Sequence, residues 1–160
     1  GGGPAAPVTI DLTGPPAPQD GAIPSDAFEG ITLGGKPDPD GPPECSDATA
    51  IVVDRQSAGA PFVTSARPDN LGLCRNVPIL IRFDQAAASV QVELGGQGAR
   101  RMEVIFKDLS TQLAPDLRAA DDGRRNGIDS VLIRPISEAQ SAELPPTAIR
   151  SITFTPLGTG

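Results

Sequence analysis

Apolar and polar residues alternate along much of this chain with the period of two that marks a half-buried β-strand. VTIDL (residues 8–12) alternates in this way. In PILIRF (78–83) Ile79, Ile81 and Phe83 share a face, and in SVQVEL (89–94) Val90, Val92 and Leu94 do, with Gln91 and Glu93 turned out. In RMEVIFKD (101–108) the apolar face is Met102, Val104 and Phe106. These three segments follow one another through short turns and are expected to run antiparallel. AFEGITL (27–33, with Phe28, Ile31 and Leu33 as anchors), AIVVD (50–54), PFVTS (61–65), IDSVLIRP (128–135) and IRSITFTP (149–156) complete a set of about nine strands.

Between the strands lie breakers. GPPAPQDG (14–21) and GGKPDPDGPPE (34–44) read as loops because proline cannot supply ladder donors, and DGRRNG (122–127) reads as a turn. SEAQSAEL (137–144) is too short, and too close to Pro145-Pro146, for more than a helical turn. PFVTSARPDNLGLC (61–74) begins as a strand and becomes a loop. There Pro68 fixes φ, Asn70 and Gly72 tolerate turn conformations, and Leu71 and Leu73 are expected to plug the end of the sandwich. Short strands with turn signals between them, and no convincing helix, predict an all-β protein: a two-sheet antiparallel β-sandwich. Residues 1–7 read as a flexible lead, 8–157 as the single domain and 158–160 as a tail.

The 18 glycines and 18 prolines show no collagen period and fit turns and edges. A net charge of −7 argues against a nucleic-acid partner and against docking on anionic lipid. No apolar run approaches a membrane span, so no membrane insertion is expected. The chain begins Gly1-Gly2-Gly3-Pro4 without an initiator methionine or a signal peptide, as a processed segment would. Its two cysteines, Cys45 and Cys74, sit in loops beside predicted strands, and in an exported protein a single bridge between them is the natural reading. The alternative is a reduced pair in a cytosolic protein. The expectation is a secreted protein, extracellular or at the cell surface.

The chain has no histidine, which removes the commonest general base and rules out Ser-His-Asp and Cys-His arrangements. No P-loop, nucleophile elbow or dinucleotide fingerprint is present. The adjacent pair Asp121-Asp122 is expected to face water, so the protein is read as not an enzyme. With no Trp and no Tyr it lacks the rings on which sugar-binding sandwiches stack a pyranose, and its five phenylalanines are expected in the core. PDPDGPPE offers Asp38, Asp40 and Glu44 in one Gly/Pro-rich loop, an oxygen set that suits Ca²⁺ without being an EF-hand; the competing reading is a solvated acidic loop. Arg100-Arg101 and Arg124-Arg125 flank turns as an anion-binding rim or, more blandly, a solvated edge that discourages aggregation.

The order of these segments resembles the galactose-binding-like jelly roll of secreted bacterial proteins, many of which carry a sorting tail of the PEP-CTERM type. The carriers are VTIDL, AFEGITL, SARPDNLGL (65–73), PILIRF, VQVELG, MEVIFKD, GIDSVLI and IRSITF, covering roughly residues 8–156. The sorting tail is absent and the turn DDGRRNG is individual. The resemblance implies a jelly roll and an alternative structural calcium near the early strands, at Asp11, Asp26 and Glu29. Two functions follow: a non-catalytic exported interaction or structural module in an extracellular assembly, with a protein or glycan surface as partner, or a calcium-assisted carbohydrate-binding module. VTIDL has two docking modes. It pairs within its own sandwich, the favoured mode because AFEGITL is next in sequence, or it completes a neighbour's sheet and self-assembles.

Overall fold

The computed structural model describes residues 5–56, 59–95, 100–135 and 147–158. Its strands are β1 Val8–Asp11, β2 Ile31–Gly35, β3 Ala50–Asp54, β4 Phe62–Ala66, β5 Ile79–Leu94, β6 Arg100–Phe106, β7 Thr111–Ala114, β8 Arg118–Ala120, β9 Ile128–Pro135 and β10 Ile149–Pro156. A 3-10 turn at Pro43–Cys45 interrupts the long loop before β3. The segment 137–144 lies outside the described residues.

All described pairings are antiparallel, in the order β3-β4-β10-β5-β9-β6-β7, with β1 beside β10 and with β2 and β8 beside β5. The segments expected as two strands, 78–83 and 89–94, are one 16-residue strand. Its first half pairs with β2 and β9, and its second with β10 and β8. The linking residues DQAAAS contain no Gly, Pro or Asn, so nothing there forces a hairpin. Instead the strand passes from one layer of the sandwich to the other. The passage is bulged: Thr155 faces Ser89 while Pro156 faces Ala87, so Ala88 is the extra residue. The bulge also resets the inward phase, from Ile79, Ile81, Phe83 and Ala87 to Val90 and Val92.

A second correction concerns β6. It does not neighbour β5 but lies beyond β9, so two antiparallel steps leave it parallel to the first half of β5. The reason is in β9 itself, whose Val131, Leu132 and Ile133 are all buried. Three consecutive buried residues suit a strand covered on both faces, not an edge. β7 and β8 lie in a stretch where no strand was expected, because most of their residues are exposed and carry no apolar alternation.

The inward faces form one cluster that includes Phe28, Phe83, Phe106, Phe154, Ile79, Ile133 and Ile152. All five phenylalanines are buried, as expected, although Phe28 lies in the turn before β2 rather than in a strand. Phe83 and Phe154 meet with ring centroids 5.0 Å apart, joining β5 to β10. Gly35 allows the layers to close on the open side of β2. Its N–H donates to Thr49 O at 3.0 Å, and a Cβ there would lie 2.1 Å from the carbonyl oxygen of Ala48. Arg100, expected in an anion-binding rim or on a solvated edge, is instead buried on β6, and burial lowers its pKa. Arg125 stacks over the Phe106 ring at 4.5 Å.

VTIDL docks within its own chain, but against β10, pairing Val8 with Phe154 and Ile10 with Ile152. The first strand meets the last rather than the next. Among the described residues no helix is long and apolar enough to cross a membrane.

Candidate binding site

Cys45 and Cys74 form a disulfide with Cα atoms 5.6 Å apart. It joins the 3-10 turn to the loop after β4, and with Ala48 and Val77 makes a small apolar cluster of its own. β4 positions that loop. All five of its residues are buried, and the hydroxyls of Thr64 and Ser65 do not face solvent. They donate instead to loop carbonyls: Thr64 Oγ1 to Arg75 O at 2.8 Å, and Ser65 Oγ to Cys74 O at 3.2 Å and Val77 O at 2.8 Å. Such bonds offset the cost of burying a hydroxyl away from water. The remainder of the loop bonds to itself. Arg67 grips Asp69 with Nε–Oδ1 at 2.9 Å and Nη2–Oδ2 at 2.6 Å, which holds the Asp69 carboxyl below its usual pKa. Asn70 Oδ1 accepts from Gly72 N–H at 3.1 Å, so Asn70 is a turn residue as read from sequence. Leu73 does not plug the sandwich; it is 44% exposed.

This loop forms one wall of a polar cleft of about 760 Å³. Leu71 and Arg75 come from the loop, Asp54, Arg55 and Gln56 from the end of β3, and Gln19, Asp20 and Gly21 from the loop after β1. Its floor is an ion pair. Asp54, only 8% exposed, receives Arg75 Nη1 at 2.9 Å and the Gln56 N–H at 3.0 Å. Arg75 Nε also donates to Leu71 O at 3.0 Å, fixing the guanidinium plane. Arg55 braces the opposite wall, donating from Nη2 to Thr13 O at 2.9 Å. Gln19, Asp20 and Gln56 are exposed at the mouth. The cleft thus presents amide, guanidinium and carboxylate groups on a rigid base.

The expected calcium ligands are not gathered in this way. Asp38 lies 3.5 Å from Arg134 Nη1, while Asp40 and Glu44 are exposed, Glu44 in the 3-10 turn. Asp11 closes its own turn, accepting from Thr13 N–H at 2.9 Å and Thr13 Oγ1 at 2.8 Å. Those two bonds favour the ionised carboxylate and lower its pKa, with a lesser contribution from Arg55. Asp26 and Glu29 are exposed. Among the described residues, no three acidic, cysteine or histidine side chains come together as a metal-holding group. The side chains of Asp38, Asp40 and Glu44, and those of Asp11, Asp26 and Glu29, are thus not gathered into one cluster in this conformation.

The cleft residues Asp54, Arg55 and Arg75 were not singled out from sequence. Asp54 was read only as the end of a strand, and its partner stands 21 residues further on. The signal that was present is the disulfide, which marks the loop carrying Arg75.

Fold and site together define an all-β, disulfide-bonded sandwich with a polar cleft at one end. Compared with known proteins, the chain matches no family model, no curated protein and no solved structure.

Proposed function

We propose that the protein is a non-catalytic interaction module of an exported protein, which binds a polar protein or glycan surface through the cleft between the 19–21 loop, the end of β3 and the 71–75 loop. The observation that carries this reading is the Asp54–Arg75 pair at the base of the cleft. The buried carboxylate that could have served as a base is already neutralised, in a chain with no histidine. What the cleft has to offer is recognition: fixed charges below, with Gln19, Asp20 and Gln56 free to meet a partner above. The disulfide supports export, because such bridges persist in oxidising compartments. The resemblance of the sequence segments, in their order along the chain, to galactose-binding-like jelly rolls of secreted proteins is in keeping with that role.

Carbohydrate is the second reading, favoured by the amide and carboxylate groups at the mouth, which suit sugar hydroxyls. The test is an array of glycans and of extracellular proteins, probed with wild type and with the Gln19→Ala/Gln56→Ala variant, in calcium and in chelator. Binding lost in the variant supports the cleft. Glycan binding lost also in chelator would select the calcium-assisted reading. Binding of equal strength in wild type and variant would sink the assignment.

A further inference from the structure

A second cleft, of about 610 Å³, runs along β1. All four residues Val8–Asp11 line it. Successive side chains of a strand point to opposite faces, so a cleft bordered by four in a row reaches the backbone edge of the strand as well as the face that Val8 and Ile10 share with Phe154 of β10. The pairing register shows what that edge carries. Leu12 N–H donates to Arg150 O at 3.1 Å, and Ile10↔Ile152 and Val8↔Phe154 continue the same alternation. Residues 8, 10 and 12 therefore spend their backbone groups on β10, and Thr9 and Asp11 turn theirs the other way. Asp11 O accepts from Gly14 N–H at 3.3 Å; the Thr9 N–H and C=O and the Asp11 N–H face the cleft side. Among the described strands β10 is the only partner of β1.

The floor of this cleft is apolar, formed by Phe28 and Phe154. Gly30, with φ +92°, makes room for it: a Cβ there would come within 3.3 Å of the Phe154 ring. The facing wall includes Pro15 and Pro16, which have no N–H to give. The charged side chains on the lining are both acidic, Asp11 and Glu29. We propose that β1 accepts an extended peptide of another protein as an added strand, with an apolar side chain over Phe28 and Phe154 and a lysine or arginine between Asp11 and Glu29. Ladder bonds to the edge supply affinity and the two-residue alternation of apolar and basic side chains supplies specificity. Charge argues for this occupant over a second copy. The chain carries a net charge of −7, which disfavours a second copy at a cleft whose own charges are both acidic. The inference is independent of the polar cleft.

The experiment measures fluorescence anisotropy of a labelled peptide alternating lysine with valine, against wild type, Thr9→Pro and Glu29→Lys. Thr9→Pro removes one N–H on the outward edge and leaves the bonds of residues 8, 10 and 12 to β10; melting confirms that each variant is folded. The wild type is expected to bind the lysine peptide, with affinity reduced by about tenfold or more in each variant. A glutamate–valine peptide, and a lysine peptide N-methylated at alternate amides, are expected to bind as weakly as the variants do. No binding of the lysine peptide, or equal binding by wild type and both variants, overturns the proposal. So does a concentration-dependent dimer that Thr9→Pro abolishes, since the occupant would then be a second copy.

Discussion

The two clefts share one short loop, Gly14–Pro16 lining the apolar one and Gln19–Gly21 the polar one, yet they are held by different forces. The polar cleft is fixed by point contacts: a disulfide, the Asp54–Arg75 pair and hydroxyls bonded to carbonyls. Among the described residues the apolar cleft has no disulfide or ion pair across it. Its floor is the hydrophobic core showing through, and its rim is a strand edge. A site of the first kind is lost when one bond is cut; a site of the second kind survives until the core beneath it is disturbed. Salt separates them too, because backbone pairing over a phenylalanine floor is screened less than contacts between exposed charges.

The largest expected effect is therefore on the apolar side. Phe154 is 5% exposed, packs on Phe83 and floors the cleft. Phe154→Ala is expected to cost about 3–5 kcal/mol in chemical denaturation, a lost transfer term plus a cavity. Next comes the polar side. Replacing both cysteines by serine opens a crosslink spanning 29 positions. The chain-entropy relation puts that loss at about 3–4 kcal/mol. The contrast lies in which cleft changes: the phenylalanine variant should spare hydrogen-exchange protection at residues 62–75 relative to its global loss, and the serine variant should lower it there first. Uniform loss in both would erase the distinction drawn between the clefts.

How much of this was written in the sequence depends on distance along the chain. β3, β9 and β10 have the bounds expected from the sequence, and the bridge followed from two cysteines beside strands. Continuity of β5 was missed, because the change of phase between Phe83 and Val90 reads as a break between two strands, although DQAAAS holds no Gly, Pro or Asn. The short strands β7 and β8 were missed too, because an edge strand with little to bury has no pattern to display. Neither cleft could be read, for a related reason. The apolar one exists only because β1 lies on β10, at the other end of the chain. The acidic loop 38–44 shows the same dependence on distance along the chain: its carboxylates are close in sequence, and the fold places Asp38 beside Arg134.

A smaller effect tests the ion pair. Arg75→Ala takes the cation away from Asp54 in a nearly dry site, where the Gln56 N–H also donates to its Oδ1. Because the arginine is itself 32% exposed, we expect about 1–3 kcal/mol, below the cost of breaking a fully buried pair. Adding Asp54→Asn to Arg75→Ala should cost less than the sum of the single variants, since the second change removes the stranded charge. Strict additivity would mean that the two side chains do not stabilise each other.

The smallest effect is at Asp11, on the wall of the apolar cleft. Its carboxylate is held by the N–H and hydroxyl of Thr13, and both bonds favour the ionised form. Its folded pKa is therefore depressed. Such a group contributes stability that is fully present above the unfolded value of about 3.9 and disappears as pH falls through the lower folded value. Asp11→Ala removes this contribution at every pH. In an exposed turn it is worth about 0.5–1 kcal/mol near neutrality. Melting curves of wild type and variant should then be separated at pH 7 and draw together below pH 4 (about the unfolded carboxylate value) as the wild-type aspartate protonates. Asp69 and Asp108 are lowered in the same direction, by Arg67 and by Ser110, so both proteins keep an acid limb. What changes is the distance between the curves. A gap that stays constant from neutral to acid pH would show that Thr13 binds the charged and neutral forms of Asp11 equally well.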